Sequence, residues 1–149
     1  MKSSIPKVYL DTSGFKRPFD DQSQPRIALE TEAVVTILAM AQAGEIVLIG
    51  SPVLRYENSR NPSAERRQWT ERALQICRQQ QPLNAAVQSR ARELERQGIK
   101  PLDALHVASA EAAQADHLIT CDDRLVRKSP GTLCFLNPTQ FVLTIAEEI

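Results

Sequence analysis

The stretch GIKPLDALHVASAEAAQADHLITCDDRL, residues 98–125, predicts a helix, a buried strand and an acidic loop in direct succession. Residues 102–115 are rich in alanine, and their small side chains at helical spacing suit a helix that lies close to a sheet. Residues 117–120 form a short apolar run of the kind found in buried strands. Asp103 falls in the first turn of the helix, and Asp122 follows the strand after Cys121. This order is typical of a parallel α/β sheet.

The same alternation of strands and helices extends to the rest of the chain. Residues 7–10, 46–49 and 133–136 are apolar runs that suit buried strands. A polar segment at 14–24 separates the first strand from a helix that begins near Pro25, since proline is favoured at the first helical position. We therefore predict a three-layer α/β/α sandwich with a mostly parallel sheet.

The stretch from about 52 to 97 carries helix signals and no predicted strand. Ser51-Pro52 places an N-cap residue before a proline and predicts the start of the helix that contains Glu57. Asn61-Pro62 repeats this signal, and a further helix is predicted from about Leu83 to Gln97. We therefore expect a helical arm at about 52–97 over one edge of the sheet.

The composition is that of an ordinary globular protein. The chain has 149 residues, 42% hydrophobic and 24% charged, which predicts a single domain over residues 1–149. Its apolar runs are too short for a membrane span and its N-terminal segment lacks a signal-peptide core, so we expect a cytoplasmic protein with no membrane partner. Cys77, Cys121 and Cys134 are odd in number and lack CxxC spacing, and we expect buried thiols rather than disulfides or a zinc site.

The charge balance argues against simple coating of a nucleic acid. The chain has 18 basic and 18 acidic residues, whereas a dedicated nucleic-acid binder is usually basic. The distribution is less even, because six arginines and three glutamates lie between Arg55 and Arg78. This stretch is compatible with a solvated helix surface and with a groove that contacts phosphates.

Four carboxylates from separate segments are predicted to converge, namely Asp11, Glu57, Asp103 and Asp122. In a parallel sheet, the carboxyl ends of the strands and the starts of the following helices share one edge. Two like charges about 4 Å apart repel by roughly 4 kcal/mol at an effective dielectric near 20. Such a cluster persists by raising pKa values or by binding a divalent cation, and oxygen ligands favour Mg²⁺ or Mn²⁺. A water held by such an ion is a nucleophile suited to phosphodiesters.

Each carboxylate also has an ordinary structural explanation. Asp103 complements the helix dipole, and Asp122 with Asp123 suits the cap of a short helix. Glu57 can pair with an arginine of its own helix, and Asp11 is a suitable turn residue. Independent caps have no reason to fall on a single sheet edge, so the joint pattern favours a metal site.

Three neighbouring polar residues are candidate supports for the carboxylates. Ser13 and Thr120 are placed to hydrogen-bond a carboxylate or a metal-bound water, although local turn bonds explain them equally well. His106 lies one turn after Asp103 among apolar neighbours, and we interpret it as a packing histidine. A metal-activated water does not require a histidine base.

These residues resemble those of the PIN-domain family, and most of all the VapC-like toxins of bacterial toxin–antitoxin pairs. The resemblance covers nearly the whole chain. It rests on YLDTSGFKRPFDD at 9–21, Glu57 after SPVL, the block at 98–125 and FLNPTQF at 135–141. The block at 98–125 is the most specific, because the Asp of LDALHVASA is followed at this distance by TCDDRL.

The resemblance implies a metal-dependent endoribonuclease with a three-layer α/β/α fold. It carries the acidic roles onto Asp11, Glu57, Asp103 and Asp122, since Asp122 rather than Asp123 occupies the Thr-x-Asp position. It also implies a homodimer and neutralisation by a small antitoxin whose tail enters the acidic groove.

The main hypothesis is cleavage of single-stranded or looped RNA with a carboxylate-bound Mg²⁺ or Mn²⁺. Asp11, Asp103 and Asp122 would hold the ion, Glu57 would bind a second ion or orient the attacking water, and the arginines of the 52–97 arm would position the phosphates. One alternative is an inactive module of the same fold that binds RNA or a protein partner. Another is a receiver-like phosphoacceptor, which the late position of the acidic pair disfavours. The polar segment at 15–24 has no assigned role.

Overall fold

The protein is described here by a computed structural model of residues 5–148. Within that range the strands are β1 Lys7–Leu10, β2 Val47–Gly50, β3 Gln79–Gln80, β4 His117–Ile119 and β5 Cys134–Leu136. The helices are α1 Thr12–Lys16, α2 Pro25–Gln42, α3 Pro52–Ser59, α4 Ala64–Leu74, α5 Ala85–Arg96, α6 Pro101–Ala112, α7 Asp123–Lys128 and α8 Pro138–Glu148. A 3₁₀ turn, Arg17–Phe19, follows α1.

All five strands lie parallel in one sheet with the order β3-β2-β1-β4-β5. Val8 of β1 lies opposite Leu48 on one side and His117 on the other. The chain runs outward from β1 to β2 and β3, then returns to the far side of β1 for β4 and β5. The direction in which successive strands are added to the sheet therefore reverses between β1 and β4. Open α/β sheets bind ligands at such a switch point, beyond the carboxyl ends of the strands.

Helices cover both faces of the sheet, which confirms the predicted three-layer α/β/α architecture. On one side α2 packs against α8, and elsewhere α5 packs against α6. Ala104, Ala108 and Ala110 of α6 are each at most 1% exposed. Their methyl side chains allow α6 to lie close to both α5 and the sheet, where a larger residue would force the layers apart.

The stretch from 52 to 97 is largely helical, as predicted, but it also contributes a strand. Gln79–Gln80 forms β3 at the edge of the sheet, with Ile49 of β2 opposite Gln79. Two glutamines carry little strand propensity, so this pairing depends on the neighbouring strand rather than on local sequence. The prediction of no strand in this stretch was wrong.

The segment after β1 also differs from the predicted polar loop. Residues 12–19 form α1 and the 3₁₀ turn, and Phe15 is buried at 1% exposure. Arg17 pairs with Glu30 and with Asp20, each at 2.9 Å. The segment is therefore anchored to the core and to α2.

The three cysteines are free, as expected, but only two are buried. Burial raises the pKa of Cys77 and of Cys121 to about 12 in each case. Cys134 is exposed, and its predicted burial was wrong because its side chain points away from the core at the start of β5. Among residues 5–148, no helix has the length and apolar character needed to cross a bilayer.

Candidate active site

Asp11 ends β1 and caps α1. Its Oδ1 accepts hydrogen bonds from Ser13 Oγ at 2.6 Å and from the Gly14 N–H at 3.2 Å. A Cβ at Gly14 would lie 2.3 Å from Leu10 Cδ1, so glycine allows the helix to begin directly after the strand. Asp11 is 4% exposed, and burial raises its pKa against the opposing effects of nearby His106 and of the Ser13 hydroxyl. Asp11 is therefore a turn and cap residue, as one explanation predicted. Capping alone does not explain its burial, because a helix cap does not need to be a buried acid.

Asp122 holds the equivalent position after β4 and caps α7. Its Oδ1 accepts from the Arg124 N–H at 2.9 Å, and its own N–H donates to Thr120 Oγ1 at 3.0 Å. Ser13 Oγ lies 3.2 Å from Thr120 Oγ1 and accepts from the Cys121 N–H at 2.9 Å. Ser13 and Thr120 therefore join the carboxyl ends of β1 and β4. Ser13 bonds a carboxylate, as one of the two alternatives had it, whereas the bond of Thr120 to the Asp122 N–H is a local turn bond, as the other had it.

Glu57 lies on α3 and is held by two side chains. Its Oε1 accepts from Thr12 Oγ1 at 2.5 Å and lies 2.5 Å from His106 Nε2. The Nδ1 of His106 lies 2.6 Å from the Tyr9 hydroxyl, which lies 2.7 Å from Ser51 Oγ. Burial opposes ionisation of Glu57, but the hydrogen bonds from His106 and Thr12 prevail and lower its pKa. Glu57 is thus an ionised carboxylate in a defined position.

His106 has a larger role than the sequence interpretation assigned to it. It is buried at 2% exposure, as a packing residue would be. Its ring nevertheless joins Tyr9 of β1 to Glu57 of α3, so it sets where the carboxylate of Glu57 lies. The expectation of a buried packing histidine agrees with the structure, since both ring nitrogens have partners. The sequence did not reveal the bond to Glu57, because α3 lies far from His106 along the chain.

Asp103 lies in the first turn of α6 and is half-buried. Burial raises its pKa, and the negative charges of Asp11, Asp122 and Glu57 raise it further, against an opposing effect of His106. No residue within 5–148 donates a hydrogen bond to its carboxylate. The negative charges of the other three carboxylates therefore act on Asp103, and the convergence of all four on one ion stays a prediction.

Asp123 is an ion-pair partner rather than a spare member of the acidic set. Its carboxylate accepts two hydrogen bonds from the Arg26 guanidinium, at 2.8 and 2.5 Å, which lower its pKa. Arg26 Nε also donates to Glu30 at 3.1 Å, and Glu30 accepts from Arg17 at 2.9 Å. This network connects the 3₁₀ turn, α2 and α7, and it braces the helix that Asp122 caps.

Two grooves flank the carboxylates. The first, here called the Asp103 groove, has a volume of about 80 Å³ and is lined by Asp103, Asp122, Lys100, Arg124 and Lys128, among others. The second, here called the Phe19 groove, has a volume of about 390 Å³ and is lined by Lys16, Phe19, Asp20, Glu57, Arg60, Asn61, Pro62, Ser63 and Arg66. Each groove therefore combines carboxylates of the site with basic side chains.

Few of the arginines between Arg55 and Arg78 lie at these grooves. Arg60 and Arg66 line the Phe19 groove. Arg55, Arg67 and Arg78 instead donate to Gln80 Oε1 and to the backbone carbonyls of Asn61 and Gln42 respectively. Sequence reasoning missed Lys16, Phe19 and Lys100. The density of basic and aromatic residues in FKRPF, directly after Asp11, was an available signal for the first two.

The donor set consists of oxygen atoms, which is the chemistry that Mg²⁺ and Mn²⁺ prefer. As the side chains stand, no three His, Cys, Asp or Glu groups within residues 5–148 are close enough together to enclose an ion. Mg²⁺ usually takes only one or two protein carboxylates and keeps several waters. Asp103 and Asp122 line one groove and suit this mode, and a cation there would relieve the repulsion that raises the pKa of Asp103.

A family model described as the PIN domain matches residues 8–129 of the chain. The chain belongs to the PIN-domain family. This confirms the family predicted from the sequence, and the matched range contains all four carboxylates. PIN domains are generally nucleases, and the nucleases among them generally depend on divalent metal ions.

The PIN domain is also similar to a solved structure of VapBC2 from Rickettsia felis bound to a DNA fragment from their promoter. The TM-score is 0.62 at 18% sequence identity, and the likeness covers 88% of this chain and 98% of the other. At this identity the likeness shows a shared fold. No curated protein sequence matches the chain.

Proposed function

We propose that this PIN domain is an Mg²⁺- or Mn²⁺-dependent endoribonuclease and the toxin of a type II toxin–antitoxin pair. The observation that carries the proposal is Asp103, whose pKa is raised by burial and by three other carboxylates at the switch point of the sheet. Mutual repulsion of this kind is characteristic of functional sites, where a bound cation or a shared proton offsets it.

The four carboxylates would have different roles in the reaction. Asp103 and Asp122, which line one groove, would hold the cation directly, and Asp11 would bind it through one of its waters. When bound, the cation would acidify water and stabilise charge on the phosphate. Glu57 would bind a second ion or orient the attacking water, and its lowered pKa keeps it ionised as a hydrogen-bond acceptor. His106 maintains the position of Glu57 through the bond at 2.5 Å.

Direct assay of RNA cleavage tests the proposal. Single-stranded and hairpin RNAs are incubated with the protein in Mn²⁺, in Mg²⁺ and in EDTA, and initial rates are compared for wild type, Asp103→Asn and Asp116→Asn. The matched control Asp116 precedes β4 at the opposite edge of the sheet, where its carboxylate accepts from the Lys7 N–H at 2.8 Å. Asparagine retains an acceptor there, so this variant should cleave like wild type.

We expect Asp103→Asn to lower the rate by at least about 100-fold, because loss of the outer partners of metal ligands already costs about 10- to 100-fold. Cleavage that persists undiminished both in EDTA and in Asp103→Asn would rule out the metal mechanism. Calorimetry with Mn²⁺ adds a check, because a module that only binds RNA or protein would bind its partner without binding the ion.

The proposed partners are an RNA substrate, a second copy of the chain and a small antitoxin, all in the cytoplasm. The resemblance of the sequence to VapC-like toxins supports them, as does the likeness to a VapBC2 complex. Co-expression with the product of an adjoining small reading frame should give a stable complex in which cleavage is inhibited. Light scattering of the isolated chain should give the mass of a dimer, and a monomer mass at micromolar concentration would contradict the homodimer.

A further inference from the structure

The Phe19 groove contains three basic side chains that form no salt bridge within the described part of the chain. Lys16, Arg60 and Arg66 are exposed, and none of them forms a salt bridge with any of residues 5–148. The two acids of the groove, Asp20 and Glu57, are each bonded to a residue outside the groove wall. The groove therefore has three cations against two acids, which leaves an excess of positive charge for an anionic ligand, although the charge of Lys16 also acts on Glu57.

Two of these cations make cation–π contacts with aromatic rings. The guanidinium carbon of Arg66 lies 5.4 Å from the centroid of the Phe19 ring, and Phe19 meets Trp69 edge to face at 5.3 Å. The guanidinium carbon of Arg60 lies 5.9 Å from the ring centroid of Tyr56. Partly exposed aromatic rings and arginine planes are the groups on which unpaired nucleic-acid bases stack, while lysine and arginine contact the phosphates.

The Asp103 groove, on the other side of the carboxylates, differs in its lining. Its cations are Lys100, Arg124 and Lys128, and no aromatic residue lines it. Its volume of about 80 Å³ is also far below the roughly 390 Å³ of the Phe19 groove. The Asp103 groove can hold an ion and a phosphate, whereas the Phe19 groove has the volume of a small-ligand site.

The geometry points to a nucleotide subsite in the Phe19 groove, which binds an unstacked nucleotide of single-stranded RNA on the Glu57 side of the cleaved phosphodiester. The base stacks on the Phe19–Arg66 pair, and Lys16 and Arg60 contact the adjoining phosphates. This inference rests on the proposed function, since it places the RNA relative to the cleavage site. Bases of a duplex are stacked on one another, so the subsite selects single strands and loops.

The test measures binding separately from cleavage. The probe is a fluorescent, mixed-sequence 12-nucleotide 2′-O-methyl RNA, which lacks the free 2′-hydroxyl, and its anisotropy is followed in EDTA. The variants are Phe19→Leu, Arg66→Gln and Lys16→Gln. Arg92→Gln on α5 is the control, because it removes an exposed arginine that does not line the groove.

We expect Phe19→Leu and Arg66→Gln to weaken binding of the single strand by about 5- to 150-fold, the range for loss of one stacked base. Lys16→Gln should reduce the slope of log affinity against log salt by about 0.7, the value for one phosphate contact on a single strand. Phe19→Leu should leave that slope unchanged. Arg92→Gln should bind like wild type, and a duplex of the same sequences should bind more weakly than the single strand.

Several results would overturn the subsite. They are wild-type affinity in both Phe19→Leu and Arg66→Gln, equal binding of duplex and single strand, or no binding by the wild type at 100-fold the protein concentration used for cleavage. Arg66 is exposed, so Arg66→Gln remains informative if Phe19→Leu disturbs the packing on Trp69. Intact binding without any cleavage would refute the proposed nuclease and leave the subsite standing. Cleavage by the wild type, together with unchanged RNA binding by the groove variants, would refute the subsite and leave the proposed nuclease standing.

Discussion

The four carboxylates form two pairs that the fold holds in different ways. Asp11 directly follows β1 and Asp122 lies three residues after β4, and each caps a helix by accepting from a backbone N–H two or three residues further on. Glu57 and Asp103 project from helices. Glu57 is held by side chains from distant segments, and Asp103 accepts no hydrogen bond from any residue within 5–148.

This difference separates structural from functional effects of substitution. Loss of a strand-end carboxylate removes a helix cap together with a possible ligand, so its consequences are mixed. The Asp103 carboxylate accepts no capping hydrogen bond from residues 5–148. Its raised pKa in the folded state means that its negative charge destabilises the metal-free fold. Asp103 is therefore the most informative position in the site.

The largest expected effect is stabilisation by metal. Mn²⁺ at 100 times its dissociation constant should raise the free energy of unfolding of the wild type by about 2.7 kcal/mol, because the ion binds only the folded state. Asp103→Asn should lose this gain and Asp116→Asn should keep it. Differential scanning calorimetry of protein freed of metal with a chelator measures the difference, and an equal gain in Asp103→Asn would remove Asp103 from the ligand set.

Next in size is the effect of His106 on Glu57. His106→Leu should lower kcat by about 10-fold with little change in KM, because Glu57 loses the bond that positions it. His106→Gln retains a donor and should recover part of the rate.

A double-mutant cycle separates this positioning role from a packing role. In a Glu57→Gln background, His106→Leu should cost much less than it does in the wild type, since the two residues act through one contact. Additive losses would show that His106 affects cleavage through packing alone.

A smaller effect should distinguish the two pairs by stability. In EDTA at pH 7, Asp122→Ala should lower the free energy of unfolding by about 1 kcal/mol through loss of the cap of α7. Asp103→Asn should raise it, because the folded pKa of Asp103 lies above its unfolded value and the ionised group opposes folding. Urea denaturation measures both changes.

The pH dependence gives the sign of the Asp103 effect. The gain in free energy of unfolding that Asp103→Asn shows over the wild type should be complete above the raised pKa of Asp103 in the folded state. It should vanish as the pH falls below the pKa of an aspartate in the unfolded chain, about 3.9. An advantage that grew on acidification would contradict a raised pKa.

The smallest expected effect concerns the Arg26–Asp123 ion pair, which connects α2 to the helix that Asp122 caps. Arg26→Gln should lower the free energy of unfolding by about 0.5 to 1 kcal/mol, since the Arg26 side chain is 54% exposed and its pairs are screened by water. Cleavage should change little. A loss of cleavage as large as that of Asp122→Ala would show that the Arg26–Asp123 pair is needed to position the strand-end carboxylate.

Local patterns predicted the strand-end pair well. Apolar runs that stop shortly before Asp11 and Asp122 showed where buried strands end, and Ser13 was recognisable as a candidate partner of the Asp11 carboxylate. The same approach failed for β3, because Gln79–Gln80 becomes a strand only by pairing with β2. It also failed for Cys134, whose exposure depends on which face of β5 meets the core.

The sequence by itself determined the α/β/α class, the parallel sheet and the strands that precede Asp11 and Asp122, because strand periodicity and helix caps are encoded within a few neighbouring residues. The convergence of Asp11, Glu57, Asp103 and Asp122 on one ion stays a prediction. The tertiary structure alone decided that His106 bonds to Glu57 across 49 residues of sequence. It also decided that Lys16 and Phe19 share a groove with Arg60 and Arg66. Such contacts depend on how the helical layers pack on the sheet, and a contact between distant residues leaves no local pattern in a single chain.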